Sequence, residues 1–304
     1  MKNKNFLIVG YGSIGKRHYN NLISLGGVVS VISSRIHEGV MTFKNLEGFF
    51  ENHECEVVII CNETSEHLKT FEKLQVFKNK WRKLVIEKPI FSDLPNALVN
   101  PANCFVAYNY RFHNLFNQLV DIVSGKKILS SLMYVGQYLP DWRPGRDYRN
   151  IYSSMKDKGG GVLRDLSHEI DMLYAISSSD LKVISSHGGH FSHLATDTED
   201  VFSLTLSSSN ICNAVISINC IDRIKQRFWI LSTDDESIKI DFVSNTIQVN
   251  DKLVQCTDDY NHSYLNMAEN MINDDFLKMA TANEGLDVLR IITSAEQGCK
   301  NEKI

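Results

Sequence analysis

The chain has 304 residues, 43% of them hydrophobic and 22% charged, and a formal net charge of −4. That length suits two domains of ordinary size, and the apolar share is enough to bury a sizeable core. A protein that wraps nucleic acid is usually strongly basic, so the balance argues against that role.

In chain order, residues 5–11 (NFLIVGY) are an apolar run ending at glycine, which predicts a short buried strand. Ser13 to Leu25 is predicted as a helix, with Gly26-Gly27 as its stop. Val28–Ser33 and Glu56–Cys61 (EVVIIC) read as strands, the second suited to the centre of a parallel sheet covered on both faces. Glu66–Phe77 reads as helix, Lys83–Glu87 as a strand ending at Pro89, and Cys104–Asn109 as a further strand. The densest basic stretch, Lys78-Asn79-Lys80-Trp81-Arg82-Lys83, is a solvated connection in this reading. Strands alternating with helices indicate βαβ units.

Beyond residue 112 the texture changes. A helix (Leu115–Ser124) and a strand (Ser131–Tyr138) lead into an aromatic, basic loop, 139–152, and a helix runs from Gly159-Gly160-Gly161 to about Ser177. Short β-rich segments follow at 182–192, 200–208, 211–221, 227–233, 237–242 and 245–249, then two helices at 262–281 and 284–298. The expectation is an α/β Rossmann domain over residues 1–112. An α+β domain with a large, mostly antiparallel open sheet follows over 113–304.

The seven cysteines (Cys55, Cys61, Cys104, Cys212, Cys220, Cys256 and Cys299) form no CxxC pair and no group with histidine at ligand spacing. They read as reduced thiols of a cytoplasmic protein and give no reason to place a metal. The apolar run after MKNKN is too short for a signal-peptide core, and none approaches the ~20 residues of a membrane span.

Gly10-Tyr11-Gly12-Ser13-Ile14-Gly15 is a GxGxxG motif, made specific by its place between the first strand and the first helix. Gly10 would allow the tight turn, Gly12 the approach of a pyrophosphate to the backbone, and Gly15 close helix–strand packing. The helix N-terminus adds N–H groups and positive partial charge, with Ser13 and Ile14 in its first turn. An NAD enzyme usually ends its second strand with Asp or Glu, which holds the ribose 2′-hydroxyl. Here Ser33-Ser34-Arg35 stands there, with no acid until Glu38. Two hydroxyls and a guanidinium suit a 2′-phosphate, which favours NADP(H) over NAD(H).

Further motifs follow in order: Cys61-Asn62-Glu63-Thr64-Ser65-Glu66-His67, then Glu87-Lys88-Pro89, then Gly159 through Asp171 (GGGVLRDLSHEID). With the glycine turn, they resemble the Gfo/Idh/MocA family of glucose–fructose oxidoreductase and inositol dehydrogenase relatives. The resemblance spans the whole chain, including Ala107–Phe112 and the closing helix around Ala295. It implies a two-domain dehydrogenase with its active site between the Rossmann domain and the open face of the second sheet, and homodimers or homotetramers built on that sheet. Lys88 would be the catalytic lysine, His168 the proton-transferring histidine and Asp165 its acidic companion. Asp165 stands three residues before His168, where many relatives have four, and a single helix would keep both on one face. Cys61, Asn62, His67 and Glu87 would line the cofactor cleft.

The chemistry asks for these residue types independently. Oxidation of a secondary alcohol moves hydride to the nicotinamide while a base takes the hydroxyl proton, and histidine titrates nearest neutrality. A lysine ammonium stabilises developing negative charge on oxygen. Which of the two accepts the proton last is not fixed by sequence. On the substrate side, Trp142, Arg143, Arg146, Tyr148 and Arg149 crowd one loop, with Asn109 and Arg111 at the domain junction. Arginine forks bind carboxylate or phosphate, and aromatic faces stack on rings, which suggests an anionic or nucleotide-linked sugar. The alternative for the loop is structural, its arginines pairing with Asp141 and Asp147. Two other functions fit the fold: reduction of a non-sugar carbonyl, imine or conjugated double bond, and non-catalytic regulation through a bound dinucleotide.

Overall fold

The structure is a computed structural model that describes residues 4–95, 102–258 and 261–301. In chain order its elements are β1 (Asn5–Val9), α1 (Ser13–Ser24), β2 (Val28–Ile32), β3 (Met41–Phe43), α2 (Leu46–Phe50), β4 (Cys55–Ile60), α3 (His67–Gln75), β5 (Trp81–Ile86) and β6 (Cys104–Val106). Next come α4 (Asn114–Val123), β7 (Ser130–Gly136), α5 (Val162–Asp165), α6 (His168–Ile176), β8 (Lys182–Gly189), β9 (Val201–Ser207), β10 (Ala214–Asn219) and β11 (Gln226–Ser232). The chain closes with β12 (Ser237–Asp241), β13 (Thr246–Val249), β14 (Lys252–Gln255), α7 (His262–Ile272), β15 (Ala280–Thr281) and α8 (Ala282–Asn301).

These elements form two compact units: Met1–Phe112 with Tyr260–Leu286, and His113–Asp259 with Asp287–Ile304. The first holds a seven-stranded sheet in the order β15-β6-β5-β4-β1-β2-β3, parallel throughout except for the two-residue edge β15. The chain fills one side of β1 with β2 and β3, then crosses to β4, β5 and β6. The strand order therefore reverses between β1 and β4, where doubly wound sheets open a crevice at their carboxyl ends. Val57, Val58, Ile59 and Ile60 of β4 are all fully buried, as a central parallel strand demands. Helix α1 turns Gly15, His18, Asn21 and Leu22 inward and ends before Gly26 at φ +81°.

The second unit holds an eight-stranded sheet, β14-β13-β12-β11-β7-β10-β9-β8, antiparallel except for β7 against β10. Along β9 buried and half-buried residues alternate, and Phe202, Leu204 and Leu206 face the core. Trp229 of β11 is fully buried, its indole N–H donating to Ser131 Oγ at 2.7 Å.

Three expectations differ from the structure. The helix expected from the glycine triplet to Ser177 is two helices: at the junction the Ser167 N–H reaches Arg164 O, three residues back instead of four. Asp165 therefore ends α5 and His168 begins α6, so the argument that one helix holds both on one face does not apply. Second, α7 stops at Ile272, because Asp274 takes φ +63° and the chain leaves the helix, burying Phe276 and Met279. Third, α7 and β15 belong to the first unit, although the sequence reading placed them in the second domain: Met267, Ala268 and Met271 pack in the same core as Phe6, Ile8 and Leu22. The strands β3, β14 and β15, of two to four residues, carry too few alternations to read from sequence.

Candidate active-site residues

In the first unit the three glycines of the turn after β1 do different things. Gly10 takes φ +99°, and a Cβ there would stand 2.6 Å from the Asn62 nitrogen, at the end of β4. A Cβ on Gly15 would stand 2.1 Å from Gly10 O, so only glycine lets α1 pack this close. Gly12 is unlike both: its φ is −74°, and nothing lies within 4 Å of where its Cβ would be. It sits at the N-cap of α1 with no side-chain hydrogen bond to the helix, beside exposed Ser13 and half-buried Ile14. A helix N-terminus with a side-chain-free approach is what a pyrophosphate needs, and these residues fit a dinucleotide.

At the end of β2, Ser33 Oγ accepts the Arg35 N–H at 3.2 Å and lies 3.1 Å from His37 Nε2. Ser34 and Arg35 are exposed. The His37 ring packs on Tyr11 of the glycine turn, centroids 4.5 Å apart. Sequence reasoning stopped at Arg35 and missed this histidine, which spacing alone does not connect to the turn.

Around the ends of β4 and β5, the Cys61 thiol is buried in the core and pushed well above the usual thiol range, first by burial and then by Glu87. Asn62 Nδ2 donates to Thr70 Oγ1 at 2.8 Å, and Asn62 Oδ1 has no hydrogen-bond partner among the described residues. His67 is buried, with Nδ1 3.2 Å from the Pro89 and Ile90 carbonyls and Nε2 3.2 Å from Asn62 O. It braces the two strand-end turns from behind; burial lowers its pKa, against its carbonyl contacts and Glu87. Glu87 is also buried, Oε1 lying 2.7 Å from His18 Nε2, and half-buried Lys88 follows it. Asn109 Nδ2 donates to Ser263 Oγ at 2.7 Å. Buried Arg111 pairs with Glu284 at 3.0 Å, an ion pair inside this unit that engages the guanidinium expected to meet substrate. Burial works against ionised Glu284, but Arg111 and Thr281 hold its carboxyl below the usual range.

In the second unit, Gly160 and Gly161 are packed tight. A Cβ on Gly160 would stand 2.3 Å from Tyr152 O, and one on Gly161, at φ +122°, would stand 2.4 Å from Glu199 Oε1. Glu199 Oε1 also accepts the Leu163 N–H at 3.1 Å. Its pKa is pushed up to about 7, by burial first, with Glu296 adding repulsion. Asp165 and His168 are both buried, as are Glu169 and Arg227, which pair at 3.0 Å. Tyr152 joins Asp165 by a side-chain hydrogen bond. Its hydroxyl is held well above the usual phenol range by burial and then by that carboxylate, with Arg143 opposing. Tyr152 lies two residues past Asn150, the end of a short turn beginning at Tyr148, yet no motif drew attention to it.

In the expected substrate loop, the Arg143 charge acts on Tyr152, the partner of Asp165. Arg149 is bound to Asp147 by both Nε and Nη2, the structural alternative for that side chain. Arg146 is exposed, and Tyr148 Oη accepts the Ala195 N–H at 3.1 Å. The Trp142 indole nitrogen is shielded and has no hydrogen-bond partner among the described residues.

Among solved structures, levoglucosan dehydrogenase in complex with NADH superposes with a TM-score of 0.82 at 14% identity, covering 99% of this chain and 98% of that one. GenD2 from gentamicin A biosynthesis, in complex with NAD, gives 0.81 at 14% identity over 100% and 96%. The WlbA dehydrogenase from Bordetella pertussis, with NADH and UDP-GlcNAcA, gives 0.78 at 16% identity over 99% and 96%. The chain has the Gfo/Idh/MocA fold. No protein-family profile matches the sequence, and no curated protein matches it. Among the described residues no helix is long and apolar enough to cross a membrane, and no group of three or more His, Cys, Asp or Glu side chains could hold a metal ion.

Proposed function

We propose that this chain is a nicotinamide-dependent oxidoreductase that moves hydride to or from a sugar-type substrate, with NADP(H) preferred over NAD(H). The observation that carries the reading is Gly12: a glycine at a helix N-terminus, on the reversal point of a parallel sheet, whose missing side chain leaves the approach to the backbone clear. Whole-chain likeness to dehydrogenases holding NAD(H) supports it. The preference for the phosphorylated cofactor rests on Ser33, Ser34, Arg35 and the neighbouring His37, with no carboxylate before Glu38. The nicotinamide, when bound, gives or takes the hydride. Lys88 stabilises negative charge on the reacting oxygen and His168 carries the proton, with Asp165 and Tyr152 polarising that region. Arg143 is the arginine of the loop we assign to an anionic substrate group. Half-exposed Leu132 and Ile230, on adjacent strands of the second sheet, support a homo-oligomer built on that face.

Titration with NADPH and NADH, read by nicotinamide fluorescence, tests the cofactor reading. Tighter binding of NADPH supports it and justifies a screen of nucleotide sugars and sugar acids. Preference for NADH overturns the Arg35 assignment alone. Binding of neither dinucleotide removes the oxidoreductase reading.

A further inference from the structure

One histidine on α1 takes part in none of the chemistry above. The inward face of α1 carries Gly15, His18, Asn21 and Leu22, packed toward the parallel sheet. A buried imidazole is unfavourable there unless it is hydrogen-bonded. His18 is 0% exposed and its Nε2 lies 2.7 Å from Glu87 Oε1. Glu87 is 6% exposed, and its second oxygen, Oε2, accepts the backbone N–H of Lys88 at 3.3 Å. His18 Nδ1 has no hydrogen-bond partner among the described residues. The neutral tautomer with its proton on Nε2 therefore satisfies the carboxylate and leaves no buried donor orphaned. The ring is also steadied from the side by Tyr264, centroids 5.9 Å apart, and Tyr264 in turn lies under the Arg17 guanidinium.

One carboxylate thus bridges two places: the helix that begins at the Gly10–Gly15 turn and the backbone from which Lys88 extends. We infer that His18 is a positioning residue for Lys88, acting through Glu87 to lock the lysine-bearing turn to the cofactor helix. The inference rests on the reading of Lys88 as the group that meets the reacting oxygen. A lysine has a long flexible stem, so the placement of its backbone decides how its ammonium is presented.

The test uses His18→Leu, which fills a similar volume without a donor, and His18→Gln, whose amide N–H can replace Nε2–H. A first readout needs no activity: the lysines of the full chain are dimethylated with ¹³C-formaldehyde, and the Lys88 signal is assigned by Lys88→Arg. In His18→Leu the Lys88 signal moves while those of other lysines stay, and His18→Gln returns it. In turnover, His18→Leu lowers kcat by about 10–100-fold with KM little changed, NADPH affinity stays within about twofold, and His18→Gln recovers most of the rate. An unmoved Lys88 signal in folded His18→Leu, or a glutamine variant no better than leucine, overturns the inference. If His18→Leu does not fold, Glu87→Gln decides: a shifted Lys88 signal supports the bridge and an unshifted one overturns it. A parent protein that binds no dinucleotide defeats the proposed function instead, and the lysine signal still decides the inference.

Discussion

The two glycine-rich turns of this chain look alike in sequence and differ in what they leave open. Gly10–Gly15 and Gly159–Gly161 both end in a helix. In the second turn the room made by missing side chains is filled by the protein itself: Tyr152 O stands against Gly160 and the Glu199 carboxylate against Gly161. In the first turn Gly10 and Gly15 are filled in the same way, by Asn62 and by the turn's own carbonyl, but Gly12 faces nothing of the protein. The lesson is that a glycine kept for packing and a glycine kept for a ligand are told apart by what a Cβ would touch. Substitution separates them, because the first kind costs stability and the second costs binding.

The largest effect is expected at the packed turn. Gly161→Ala places a Cβ against Glu199 in a backbone region that L-residues avoid, and should destabilise by about 3 kcal/mol. Its melting temperature should fall well below that of the parent, and an unchanged melt would break the comparison. At the open turn, Gly12→Val should melt like the parent, since its φ of −74° suits any residue, yet bind NADPH about 100-fold more weakly, a loss of about 3 kcal/mol. Equal fluorescence titrations for the two proteins would mean that the clear face at Gly12 is not where the dinucleotide lies.

Glu199 sharpens the contrast through pH. Its folded pKa of about 7 lies above the ordinary glutamate value of about 4.5, so the protonated form is the one that folding favours. The stability it gives is complete below pH 4.5, falls as pH rises toward 7 and is lost above that. Glu199→Gln mimics the neutral acid and keeps an oxygen for the Leu163 N–H. The variant should come close to the parent at pH 4.5 and exceed it at pH 8 by about 3 kcal/mol in denaturant melts. A constant difference across that range would contradict the raised pKa. The smallest effect is expected at Arg35, an exposed side chain. Arg35→Ala should weaken NADPH about tenfold and NADH little, the size of one charge-assisted hydrogen bond. Equal losses for both cofactors would show that Arg35 does not read the 2′-phosphate.

Much of the architecture was legible because it is written in local patterns. The apolar runs at β1, β4 and β5, the alternation along β9 and the glycine motif each depend on neighbours in sequence. What was not legible depends on partners far away. The end of α7 turns on Asp274 giving up the helix so that Phe276 can reach Phe105, with ring centroids 4.8 Å apart. His18, 69 positions from Glu87, looked like an ordinary helix residue. Arg111 looked like a free cation for substrate until Glu284, 173 positions away, was seen against it.

The sequence by itself determined the longer strands and helices, the change of texture near residue 112 and most of the chemically able residues, because hydrophobic period and turn chemistry act over a few positions. Only the tertiary structure decided which of those residues have work inside the protein. A buried charge or imidazole must find a partner, and the chain supplies that partner from wherever the fold brings it. Glu284 meets Arg111, Glu87 meets His18, and His67 braces two turns, whereas Gly12 is left facing open space.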